Sequence, residues 1–212
     1  ITYIDSMVFH NCSSLTTVNF NVINCNDFFQ WTSPFYNCPI STINIGNGVQ
    51  RIPSNFAYNL DSLNSINIPN SVTSIGEQAF YDCNNLALVN IPNSVTSIGY
   101  NAFYQVNTII YNGTATGEPW GANTMYRFVE GDFVYSDSTK TILLKYLGSQ
   151  ANVVIPNTVT TIGQSAFSGC NSIKVLSFPE GLIEIKEEAF ANCMNCQLTD
   201  LQFPSTLIII GP

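Results

Sequence analysis

Apolar positions in this chain fall into a short phrase that returns at a fixed interval. IPNSVTSIG occupies 68–76 and recurs letter for letter at 91–99, with IPNTVTTIG at 155–163. FPEGLIEIK at 178–186, FPSTLIIIG at 203–211 and IGNGVQRIP at 45–53 keep the same apolar places. The first residues lie at 45, 68, 91, 155, 178 and 203, so most neighbours are 23 residues apart. A second marker runs in phase: Ala79-Phe80, Ala102-Phe103, Ala166-Phe167 and Ala189-Phe190. Cys83, Cys170 and Cys193 follow three residues after their Phe, and Phe9 with Cys12 and Phe35 with Cys38 are weaker copies.

Each phrase predicts a small set of elements. In LALVNIP at 86–92, Val89 and Ile91 point to one face of a strand while Leu88 and Asn90 point to the other. Pro92 cannot donate to a ladder and ends the strand. VTSIG predicts a second short extended segment with Val95 and Ile98 inward, broken by Gly99. The Ala-Phe pair then opens a short helical or 3₁₀ turn, with Phe103 filling the interior of its coil. Such a unit leaves apolar faces that only the next unit covers, so its stability is a sum over neighbouring interfaces.

The whole unit reads LxxVxIPxSVTSIGxxAFxxCxx and carries an LxxLxL signature within a period of 20–29 residues. It resembles the BspA-like, or Treponema-type, leucine-rich repeats of bacterial surface and secreted proteins. Matching copies cover about residues 1–106 and 152–211. The resemblance implies a leucine-rich-repeat solenoid of the α/β superhelix class, mostly β, each coil adding a strand to a parallel sheet on the concave face. It also implies adhesion to host proteins or to other cells.

Between 104 and 151 the pattern falters. NTIIYNG at 107–113 reads as a shortened strand with Ile109 and Tyr111 inward. GDFVYSDSTKTILLKYLG at 131–148 predicts a β-hairpin with strands 133–135 and 142–146 around a polar turn. The domain expectation is one solenoid over 1–212, with an irregular hairpin insertion at about 107–151. Trp120, Tyr126 and Phe128 make this insertion aromatic. Irregular aromatic loops on rigid scaffolds often bind partners, and the competing reading makes these rings the hairpin's private core.

Composition narrows the function further. Charged residues make up only 9% of the chain, against a usual share of about 25%. The polarity comes from amides and hydroxyls, with 26 Asn among 212 residues. Asn tolerates left-handed backbone and caps turns, which suits short strands joined tightly. The net charge is −8, and the six basic residues are scattered, which argues against nucleic acid and anionic membrane as partners. The longest local apolar run, LIII at 207–210, is far short of a membrane helix. The first residues already read as the middle of a repeat, which predicts a piece of a longer protein whose export signal and anchor lie elsewhere.

Five cysteines share one repeat position, and stacking them predicts a ladder of free, buried thiols with parallel Cβ vectors unsuited to disulfides. Cys193-Met194-Asn195-Cys196 is a CxxC, but it lacks the βαβ setting of a redox motif and the second pair of a zinc site. His10 is the sole histidine, so no catalytic triad and no cofactor or metal site is expected. Glu180, Glu184, Glu187 and Glu188 read as a solvated outer face. The best candidates for partner contact are the outward positions of the concave sheet. They are Thr17 and Asn19, Thr42 and Asn44, Ser65 and Asn67, Leu88 and Asn90. After the break come Asn152 and Val154, Val175 and Ser177, Asp200 and Gln202. The expected whole is a monomeric, non-catalytic module, on the cell surface or secreted. Its expected partners are host matrix or plasma proteins or other cell-surface proteins, and the alternative is a spacer that displays another domain.

Overall fold

A computed structural model describes residues 3–5, 7–29, 33–194, 196–198 and 201–212. The chain forms two compact units, Ile1–Tyr126 and Arg127–Pro212. The first holds β1 (Thr17–Phe20), β2 (Thr42–Ile45), β3 (Arg51–Ile52), β4 (Ser65–Asn67), β5 (Ser74–Ile75), β6 (Leu88–Asn90), β7 (Ser97–Ile98), β8 (Thr108–Ile110) and β9 (Thr124–Tyr126). The second holds β10 (Val129–Glu130), β11 (Phe133–Tyr135), β12 (Ile142–Tyr146), β13 (Asn152–Val154), β14 (Thr161–Ile162), β15 (Val175–Ser177), β16 (Glu184–Ile185) and β17 (Ile209–Ile210). No helix occurs among the described residues.

In the first unit the LxxVxI strands pair in parallel, β1 with β2, β2 with β4, β6 with β8 and β8 with β9. The SI strands stack likewise, with Ile52 opposite Ile75 and Ile75 opposite Ile98. Register follows the period, since pairing one residue off would turn every inward side chain to solvent. Ile43, Val89 and Ile109 are fully buried on the inner face, and Val49, Val72 and Val95 line the second wall. Burying such side chains contributes roughly 1.5–3 kcal/mol each before ordering entropy is subtracted.

The Ala-Phe segment is a run of turns and not the helical or 3₁₀ turn that the sequence suggests. Two residues per coil are left-handed: Gln78 and Asp82 have φ of 54° and 55°, Asn55 and Asn59 have 56° and 57°. This alternation aims every second N–H along the stack. Gln78, Phe80 and Asp82 donate to the carbonyls of Tyr100, Ala102 and Tyr104 at 3.0, 2.8 and 3.0 Å. An ordinary helix would spend those donors within its own turn. Asn and Asp bear the left-handed conformation at less strain than most side chains, which accounts for part of the Asn content. One coil exchanges its pair: Phe56 lies where others have Ala, Ala57 lies where others have Phe, and both are fully buried.

The parallel ladder runs on where the pattern falters. β8 and β9 keep register with β6, with Val89 opposite Ile109 and Ile109 opposite Met125. Tyr111 follows in the place of Ile91, and its hydroxyl donates to the Val95 carbonyl at 2.5 Å while accepting from Ala115 N–H at 2.8 Å. In the second unit the strands expected at 133–135 and 142–146 form the hairpin β11–β12. The far edge of β12 pairs in parallel with β14, so this strand also serves as a coil strand. Its Tyr146 enters the aromatic ladder 5.3 Å from Phe167, which lies 4.9 Å from Phe190. β13 pairs with β15, and β14 with β16 and then β17.

Candidate protein-binding surface

Alternation along the LxxVxI strands sends two residues per coil outward, and stacking lines them up. Thr17, Thr42 and Ser65 are register partners, as are Asn19, Asn44 and Asn67. The first set is a row of hydroxyls and the second a row of amides, at the strand spacing of about 4.8 Å. Asn44 Nδ2 donates to Asn19 Oδ1 at 2.9 Å, so the amides partly satisfy one another while remaining exposed. Leu88 and Asn90 continue the rows, and β8 and β9 follow with Thr108 and Thr124 beside Ile110 and Tyr126. Of the sheet-face residues predicted in the first unit, Thr17, Asn19, Asn44, Ser65, Asn67, Leu88 and Asn90 are exposed and Thr42 is half-buried.

The second unit presents Asn152 and Val154 beside Val175 and Ser177. Here the outward face is more apolar: Val154 is 70% exposed and Val175 51%. A groove of about 390 Å³ beside β15 is lined by Lys174, Val175, Ser177, Glu180, Gln202 and Phe203. It gathers three of the predicted contact residues with one cation and one carboxylate. Asp200 lies outside the described residues.

The insertion's aromatics are placed differently. Trp120 is only 4% exposed, packs edge-on against Tyr111 at 5.5 Å, and donates its indole N–H to the Thr116 carbonyl at 3.1 Å. Its burial removes it as a contact residue: the ring fills the space under its own loop. Tyr126 and Phe128 are half-buried. Tyr126 takes an outward register position opposite Ile110.

A further row stands at a position that the sequence shows only as tolerant and surface-near, shared by His10, Tyr81, Tyr104, Ser168 and Ala191. Tyr58, Tyr81 and Tyr104 occupy one position in three successive coils and stack face to face, with centroids 5.0 and 4.5 Å apart. His10 and Tyr36 pair at the same position nearer the start, 5.6 Å apart. Their 23-residue spacing was a readable signal. His10 is therefore an exposed member of an aromatic row. Beside that row, burial first and the Asp61 carboxylate second raise the Asp82 carboxyl above its usual range.

The thiols divide by exposure. Cys25, Cys38 and Cys83 are buried, Cys170, Cys193 and Cys196 half-buried, and Cys12 exposed, so the expected uniform buried ladder is broken at its first member and thinned in the second unit. Burial pushes the Cys83 thiol up to about 12, and its S–H points at the Ala57 carbonyl, 3.1 Å away. Glu180, Glu187 and Glu188 are exposed and Glu184 half-buried. Among the described residues no group of three or more His, Cys, Asp or Glu is placed to hold a metal ion.

Comparison with known proteins gives a consistent family. A model described as BspA type leucine rich repeat region matches residues 1–110 and 142–212 in six copies. No curated protein matches the chain. Among solved structures, a leucine rich cell surface protein of Faecalibacterium prausnitzii is 22% identical, over 99% of this chain and 66% of that one, with a TM-score of 0.40. A leucine-rich repeat protein of Eubacterium ventriosum is 20% identical, over 92% and 62%, with a TM-score of 0.37. The pneumococcal vaccine antigen PcpA is 17% identical, over 94% and 56%, with a TM-score of 0.38. The chain thus spans under two thirds of the length of each of these three.

Proposed function

Because the chain belongs to the BspA-type leucine-rich repeat family, we propose that it is a non-catalytic protein-interaction module of a bacterial surface or secreted protein, used for adhesion. Partner contact is assigned to the outward face of the LxxVxI strands. The observation that carries this reading is the pair of aligned rows, hydroxyl and amide, across β1, β2 and β4, exposed at every member but the half-buried Thr42. Such rows present donors and acceptors at strand spacing to an extended partner without any pocket chemistry. The occupant is expected to be a host matrix or plasma protein, or another cell-surface protein. Trp120 supports the sheet over the insertion, since its burial leaves that loop without an exposed aromatic anchor of the kind that dominates interface energies.

The test is binding of the purified chain to immobilised matrix and plasma proteins at physiological salt, beside a double variant Asn67→Arg/Asn90→Arg. Both side chains are exposed, so the variant folds while placing two bulky cations on the face. Saturable binding by the parent, weakened at least roughly tenfold in the variant, is expected; a loss of that size corresponds to about 1.4 kcal/mol. Binding unchanged by both arginines would remove the sheet face from the account and direct attention to Tyr126 and Phe128. A chain that binds nothing in the panel would favour the spacer role.

A further inference from the structure

The half-buried thiols of the second unit differ from Cys83 in more than exposure. Cys196 N–H donates to the Cys193 carbonyl at 3.0 Å. A backbone hydrogen bond between residues three apart brings their Cα atoms within about 7 Å, close to the span that a disulfide bridges. Stacked repeat cysteines lie in different coils, whereas Cys193 and Cys196 lie three residues apart in one coil. Met194 is 85% exposed, so this place is open to solvent.

Both thiols also point back along the stack. Cys193 Sγ donates to the Phe167 carbonyl at 3.2 Å and Cys196 Sγ to the Cys170 carbonyl at 3.0 Å. We propose that Cys193 and Cys196 form a dithiol modification site, which closes to an intramolecular disulfide on meeting a low-molecular-weight disulfide. One thiol, as thiolate, attacks a sulfur of the external disulfide, expels one external thiolate and leaves a mixed disulfide. The neighbouring thiol then loses its proton, attacks the protein sulfur of that mixed disulfide and expels the second external thiolate. The two protein sulfurs are oxidised, the external disulfide is reduced to two thiols, and the two protons end on those thiols. The product exchanges two hydrogen bonds between coils for one covalent bond within a coil.

Trypsin separates the competing outcomes, because residues 187–212 form one peptide whose cysteines are Cys193 and Cys196. Cys170 falls in 146–174 and Cys83 in 52–127. The reduced full chain is treated with oxidised glutathione at mildly alkaline pH, blocked with N-ethylmaleimide, digested and weighed. Peptide 187–212 is expected lighter than its dithiol form by two hydrogen atoms and unblocked, with Cys83 still a blockable thiol once the chain is unfolded. The variant Cys196→Ser is expected to hold a stable glutathione adduct on Cys193. Recovery of 187–212 as a doubly blocked dithiol, as a double adduct, or joined to 146–174 would overturn the assignment. So would failure of both single variants, Cys196→Ser and Cys193→Ser, to take up glutathione at the thiol that remains.

Discussion

Phe80→Ala is expected to lower the unfolding free energy by about 4 kcal/mol, within the range for emptying a buried aromatic site. The ring is fully buried, stacks on Phe103 at 5.5 Å, and meets Phe56 edge-on at 6.5 Å. Its loss removes the burial of the ring and roughly 0.5–1.5 kcal/mol for each aromatic pair. Neighbouring coils are fixed by backbone hydrogen bonds on both sides of this position, so the cavity has little room to collapse. Phe9 occupies the same repeat position but is 43% exposed and, among the described residues, stacks on Phe35 alone. Phe9→Ala is therefore expected to cost about 1 kcal/mol. Equilibrium urea unfolding followed by circular dichroism distinguishes the two. Equal losses would mean that burial does not follow the coil-by-coil order described.

Gly99→Ala is the second large effect, and its cause is backbone and not cavity. A Cβ at Gly99 would lie 2.4 Å from Glu77 N and 2.6 Å from Glu77 Cα, and one at Gly76 would lie 2.3 Å from Ser54 N. Gly76 and Gly99, which end the two VTSIG phrases, thus sit against the backbone of the preceding coil, whereas the copies at 45–53 and 178–186 end in Pro53 and Lys186. Backbone cannot rotate out of the way as a flexible side chain can, so one coil must shift against the next. The expected loss is about 3 kcal/mol, at the upper end for overpacking. Gly48 is the internal control, because a Cβ there meets nothing within 4 Å. Gly48→Ala is expected within about 0.5 kcal/mol of the parent. The same urea titration reads both variants, and a Gly99→Ala chain as stable as Gly48→Ala would remove the close approach from the account.

These two positions also show how far the sequence could be read. IPNSVTSIG displays its strand, its proline stop and its inward Val and Ile directly, because a two-residue alternation inside a 23-residue period leaves one consistent register. Gly99 was legible as a break, but its reason lies in the neighbouring coil. The Ala-Phe turn was misread because Gln78 and Glu188 give no sign of left-handed backbone, although Asn59 and Asp82 hint at it. Trp120 was ambiguous for a physical reason. An aromatic in an irregular loop is either an anchor or a plug, and the edge-on packing against Tyr111 decides it. β12 was read as a hairpin strand, and nothing in ILLKY announces that its other edge continues the coil ladder. For the candidate surface, outward positions followed from the pattern alone. Tyr81 and Tyr104 were legible as sharing the His10 position, but their stacking was not, because the row sits in the turn, where no alternation aligns side chains.

The account rests on coils stacked in parallel at a 23-residue step, since that register creates both the core ladders and the outward rows. Methyl-labelled isoleucine in a deuterated chain tests it by nuclear Overhauser contacts. Ile52, Ile75 and Ile98 are successive register partners, all buried. The account predicts cross-peaks from Ile52 to Ile75 and from Ile75 to Ile98, and in the second unit from Ile162 to Ile185, its partner there. A spectrum in which these methyls contact only residues near them in sequence, or partners one repeat out of step, would contradict the stacked register and with it the proposed binding face.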